Sequence, residues 1–202
     1  MLDALNRYWF LQINATPDSA PWLLTAAQII ARDVILIIPA LLVVLWLWGP
    51  GTRLDNRRQL ALKISLALVF SLGISLTIGL LLPHPRPFAV GLGYHFLAHA
   101  PDSSFPSDHA TAAFTLAIAL LCWHRLWSGI VLLVIATAIG GSRVYLGIHW
   151  PLDILGAVLA ALMGCLLSAL VCSCWGGPLY RQLLALYRRS FAFPIRKGWV
   201  RG

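Results

Sequence analysis

The chain contains no glutamate: all seven of its acidic residues are aspartates. Lysine is nearly absent too, with Lys63 and Lys197 alone. Charged residues make up only 11% of the 202, whereas 59% are hydrophobic and the mean hydropathy is +0.80. A soluble domain of this length needs far more polar surface, so the composition excludes that class and indicates a membrane protein of one domain. Divalent cations usually take several oxygen ligands, and no cluster of carboxylates is present, so neither a metal nor another cofactor is expected. The four cysteines, Cys122, Cys165, Cys172 and Cys174, form no paired C-x-x-C set and lie in apolar stretches. They read as buried small hydrophobes. No cleavable signal peptide, internal repeat or low-complexity segment is evident.

What is present is long apolar runs. Residues 2–13 carry Leu2, Leu5, Trp9 and Ile13 at helical spacing and predict a short amphipathic helix in a bilayer interface. Five apolar segments follow, at about 22–48, 59–82, 107–123, 127–145 and 151–174. A hydrocarbon core of roughly 30 Å needs about 20 residues at 1.5 Å each, so these read as membrane spans. The first contains Arg32-Asp33 and is taken as one span; breaking it would make six. Gly49-Pro50-Gly51 ends it, and Pro83, Pro85 and Pro87 stop the second. The expected fold is an all-α integral membrane bundle of about five helices with an N-terminal interfacial helix and a basic tail over 177–202.

The net charge of +8 fits either a nucleic-acid patch or a topology signal. Of the fifteen Lys and Arg, eleven fall on one side of a five-span arrangement: Arg53, Arg57, Arg58, Lys63, Arg125 and six in the tail. That is the cytoplasmic bias of membrane proteins, and nucleic-acid binding loses its support. Arg86 and Arg143 stand on the other side, where this rule gives them no task.

On that side three loops converge. Arg86 and Arg143 present guanidinium forks suited to phosphate oxygens. Ser107-Asp108 opens a helix, where free N–H groups and the positive dipole end make an anion cradle, and His109 lies in the first turn as a proton donor. His149 and Asp153 are spaced i, i+4, so a carboxylate can fix one imidazole nitrogen and leave the other as a nucleophile. Each feature alone has an ordinary reading: a snorkelling arginine, an interface histidine beside Trp150, a plain cap, a loop arginine between prolines. Together they put costly ionisable groups at membrane depth, which points to function. Tyr94, His95, His99 and Asp102, in the preceding loop, are candidate diphosphate contacts that also read as ordinary loop residues.

Arg86-Pro87, then Pro106-Ser107-Asp108-His109, then Ser142-Arg143 with His149 and Asp153, resembles the three-part signature of the type 2 phosphatidic acid phosphatase superfamily, membrane relatives of vanadium haloperoxidases. The match spans about residues 79–153. Beyond it, Ile13–Ser19 and Pro194–Trp199 are similar to the bacterial undecaprenyl-diphosphate phosphatases of that superfamily. Two positions depart: Gly79 stands where the family has lysine, and Asp108 where it has glycine. The resemblance implies catalytic roles for His149 (nucleophile), His109 (acid) and Asp153 (orienting His149). It implies a phosphate site of Arg86, Ser107, Arg143 and Ser142, with Asp108 beside it and His84 as the nearest cation to replace the lysine. It further implies hydrolysis of undecaprenyl diphosphate with water, by a multi-pass protein of the bacterial cytoplasmic membrane whose site faces the periplasm and whose C-terminus is cytoplasmic. Phosphatidate or phosphatidylglycerophosphate hydrolysis and phosphotransfer from a lipid diphosphate remain alternatives. A transporter or lipid binder fits less well, because the polar groups are confined to one face.

Overall fold

The computed structural model describes residues 1–202, and its regular structure is entirely helical. The α-helices are α1 (Leu2–Ile13), α2 (Pro21–Arg32), α3 (Ile37–Leu47), α4 (Leu54–Leu81), α5 (Asp108–Trp123), α6 (Leu126–Tyr145), α7 (Pro151–Ser190) and α8 (Ala192–Arg196). Helices satisfy their own backbone hydrogen bonds, which a hydrocarbon surrounding demands. Pro21–Leu47, Gly51–Leu81, Leu126–Tyr145 and Pro151–Ser190 are each long and apolar enough to cross a membrane. The protein is a multi-span membrane protein. At 16 residues α5 is shorter, about 24 Å, and occupies the centre: every position from Ala110 to Ala117 is buried.

Small residues let the helices close on one another. A Cβ on Gly164 of α7 would lie 2.6 Å from the Ser71 nitrogen of α4, so only glycine fits that crossing. Ser71 Oγ and Thr115 Oγ1 join α4 to α5 at 2.7 Å. Within lipid, close packing and interhelical hydrogen bonds of this kind drive association, because apolar burial gains little there. Outward, Leu76, Leu80, Val134, Leu159 and Leu166 are 61–73% exposed and form an apolar belt.

The segment 22–48 remains one candidate span, Pro21–Leu47, with a 3-10 turn (Val34–Leu36) between α2 and α3 beside Arg32-Asp33, where Arg32 Nε donates to Asp33 Oδ1 at 2.8 Å. Other expectations change. The second span begins at Leu54 rather than 59. The last helix, expected to end near 174, runs on through Gly176, Gly177 and Pro178 to Ser190, so much of the expected tail is helix. A proline inside a helix costs about 3 kcal/mol. Packing offsets it: Tyr180 and Tyr187 set their rings against Trp46, with centroids 6.5 and 5.8 Å away. In α1, Leu2, Leu5, Trp9 and Ile13 are exposed as an interfacial helix requires, but Asn6 and Phe10 on the other face are buried. Of the cysteines expected inside, Cys165 is buried, whereas Cys122 and Cys174 are exposed.

Candidate active site

The loop after α4, the first turn of α5 and the turn between α6 and α7 meet at one end of the bundle. The α6–α7 turn is tight because Gly147 adopts φ +80°, and a Cβ there would collide with the Tyr94 carbonyl oxygen at 2.0 Å. Asn14, at the end of α1, clamps this region: its Nδ2 donates to the carbonyls of Tyr94 and Tyr145 at 2.9 and 3.0 Å. Trp150 Nε1 donates to the Pro85 carbonyl at 2.8 Å, tying the loop that carries Arg86 to the turn that carries His149. Asn6 Oδ1 accepts the Leu152 N–H at 3.0 Å, one of the donors that the start of α7 leaves free.

His149 is 1% exposed. Its Nδ1 lies 3.1 Å from Asp153 Oδ2, and that oxygen also accepts the Trp150 N–H at 2.8 Å and the Ser104 hydroxyl. A carboxylate only accepts, so Nδ1 carries the hydrogen and Nε2 keeps its lone pair. Burial, then the charges of Arg143 and Arg86, hold the His149 imidazole well below the usual histidine range, which leaves it neutral and nucleophilic. That lone pair faces Arg86 Nη1 at 3.1 Å. Arg86 also donates to the Ile148 carbonyl at 2.8 Å, the Ser103 carbonyl at 3.2 Å and Asp102 Oδ1 at 2.8 Å.

Arg143 is 3% exposed and donates from Nη1 to the Ala31 carbonyl at 3.1 Å. The break after α2 explains this acceptor, because the 3-10 turn ends the regular ladder that would otherwise use it. Its Nη2 donates to His99 Nε2 at 3.2 Å, and its Nε is buried without a partner. Ser107 Oγ is likewise buried and unpartnered. A buried, unsatisfied donor costs about 1–3 kcal/mol, and an oxyanion between these groups would satisfy both.

Some expected residues take other positions. Ser107 makes no side-chain cap, and its N–H is spent on the Asp153 carbonyl at 3.3 Å. Ser142 Oγ turns back to the Ile139 carbonyl at 2.8 Å, within its own helix, instead of toward the arginines. Asp108 is exposed and accepts the Ser75 hydroxyl at 2.8 Å, so it fastens α5 to α4. His84, expected as a replacement cation, packs edge-on against Trp150 at 6.1 Å with Nδ1 buried and unpartnered. A Cβ at Gly79 would touch Ser103 Oγ at 3.6 Å, so that position abuts the loop before α5. His109 is half-buried in the first turn of α5. Tyr94 serves the Asn14 clamp and His95 stacks on Phe88 at 4.3 Å. Ser104, which no sequence pattern singled out, sits fully buried beneath the His149–Asp153 pair.

The sequence profile of the PAP2 superfamily matches residues 60–175. The chain belongs to this superfamily. Among PAP2 relatives it is 56% identical over 201 residues, all of both chains, to a putative undecaprenyl-diphosphatase, YbjG, of Escherichia coli K12. It is 32% identical over 150 residues to the undecaprenyl-diphosphatase BcrC of Bacillus subtilis 168, covering 74% of this chain and 72% of the relative. The crystal structure of Aquifex aeolicus LpxE matches with a TM-score of 0.64 at 25% identity, covering 82% of this chain and 94% of that one. This PAP2 protein is a membrane phosphatase.

Proposed function

We propose that the protein removes the terminal phosphate of undecaprenyl diphosphate at the outer face of the bacterial cytoplasmic membrane, through a phosphohistidine at His149. The observation that carries this reading is the buried His149, oriented by Asp153 and in contact with Arg86. The full-length similarity to a putative undecaprenyl-diphosphatase supports the substrate. The eleven basic residues at the opposite end support the orientation.

In this reading the incoming phosphate draws Arg86 away from Nε2, and the freed lone pair attacks phosphorus. The bond to the bridging oxygen breaks as His109 protonates that oxygen, and undecaprenyl phosphate leaves. Water then attacks the phosphohistidine, His109 takes its proton, and inorganic phosphate is released. Arg86, Arg143 and Ser107 hold the equatorial oxygens as charge builds. The tail stays among the helices and never has to leave lipid.

The test is phosphate release by purified protein from a panel of lipid mono- and diphosphates, with chelator present. Undecaprenyl diphosphate should be the best substrate, an acid-labile phosphoenzyme should be trapped on rapid quenching, and His149→Ala should lose at least ~10³-fold. Full activity in that variant would end the assignment. For orientation, a Ser103→Cys label in a background lacking the four native cysteines should react from outside intact cells.

A further inference from the structure

Two loop residues sit on the site's arginines, and the reaction described above uses neither. Asp102 holds Arg86 at 2.8 Å and His99 holds Arg143 at 3.2 Å. The His99 ring stands edge-on to that of His149, with centroids 6.3 Å apart, and its side chain is 23% exposed. Its Nδ1 is 3.1 Å from the Ala100 carbonyl, which can only accept, so Nδ1 carries the hydrogen. Nε2 therefore offers a lone pair to Arg143. The imidazole thus occupies a guanidinium donor that a phosphate oxygen would take.

A phosphate arriving at Arg143 brings a second acceptor to the same place, and two lone pairs repel. A proton on His99 Nε2 turns this repulsion into a charge-assisted hydrogen bond. We propose that His99 is a third cationic contact for the substrate's phosphates and takes up its proton as they bind; this rests on Arg143 being a phosphate ligand. The groups facing His99 are Arg143 from α6, His149 from the α6–α7 turn, His109 from α5, Arg86, and Asp102, whose Oδ1 is 3.7 Å from Nδ1. Burial first, then Arg86 and Arg143, lower the His99 pKa, against the Ala100 carbonyl and Asp102. A bound phosphate offsets both arginine charges, so protonation becomes easier. Asp102, released when Arg86 turns to the phosphate, is left facing Nδ1–H and orients the imidazolium.

Binding of inorganic sulfate, a dianion that does not titrate near neutrality, tests this by calorimetry in two buffers of different ionisation enthalpy. The purified full-length protein should take up close to one proton per sulfate at about pH 7, and His99→Gln should take up none. With a short-chain prenyl diphosphate, His99→Gln should raise KM about tenfold at pH 6.5 and converge on the parent by pH 9, with kcat little changed. A purely structural role would lower kcat and thermal midpoint at every pH. Equal proton uptake in both proteins, or a KM shift independent of pH, overturns the proposal while leaving the arginine site standing. Undiminished hydrolysis in Arg143→Gln overturns the phosphate site and this inference with it.

Discussion

The two ends of the bundle each bury arginine, and they treat it differently. At the end away from the site, Arg58 is 1% exposed, and each of its three nitrogens meets a main-chain oxygen: Trp46 at 3.0 Å, Gly202 at 3.2 Å and Arg201 at 2.6 Å. Its guanidinium also lies 5.0 Å from the Tyr187 ring centroid and 5.7 Å from that of Trp46. No nitrogen is left without a backbone partner. At the site end Arg143 keeps a buried Nε without a partner, and Arg86 spends two nitrogens on Asp102, whose side chain is 62% exposed. A fixed backbone partner at every nitrogen marks an arginine that holds the fold together. Unspent donors and replaceable partners mark one kept ready for a ligand.

Substitution separates the two kinds. Arg143→Gln should lower kcat/KM about 10²–10³-fold, the usual loss when one donor to a developing oxyanion is removed, with the thermal midpoint within a few degrees of the parent. Arg58→Gln should do the reverse. Three main-chain oxygens lose charged donors, so stability should fall by roughly 2–4 kcal/mol in thermal or denaturant unfolding in micelles, while turnover per folded molecule is unchanged. If Arg58→Gln lost activity without losing stability, the contrast between the ends would collapse. A smaller effect is expected at Ser104. Ser104→Ala removes one of the three donors at Asp153 Oδ2 and leaves the His149 contact, so kcat should fall about tenfold with KM nearly constant.

The same contrast explains what was legible in the sequence. His149 and Asp153 could be paired from their i, i+4 spacing because one helical turn fixes both, and Arg86 and Arg143 stood out once the topology rule left them without a task. Ser104, His99 and Asp102 act across 44 to 49 residues or through a loop with no period, so only the folded chain brings them to their partners. The helix start at Ser107-Asp108 was legible, whereas the hydroxyl partners of Ser107 and Ser142 were not, because a hydroxyl near a helix end has several local acceptors and spacing alone does not choose among them. At the far end the apolar run of the fifth span gives out near 174, and the packing of Tyr180 and Tyr187 on Trp46 that carries α7 on through Gly176, Gly177 and Pro178 is tertiary. Arg58 read as one more topology charge for the same reason.

The weakest expected effect reaches the contrast through pH. His149 binds protons differently in the two states, because its folded pKa lies well below the usual value while the unfolded chain binds a proton near 6.5. Above that pH neither state is protonated and the residue has no effect on stability. As pH falls below it the unfolded state takes up a proton that the folded state refuses, so stability falls, by up to about 1.4 kcal/mol between pH 7.5 and 5.5. His149→Gln cannot titrate and should lose that much less over the same interval in micelle unfolding, with Arg58→Gln keeping the parent's slope. Identical slopes for the parent and His149→Gln would mean that His149 takes up a proton inside the folded site, and the neutral nucleophile would have to be abandoned.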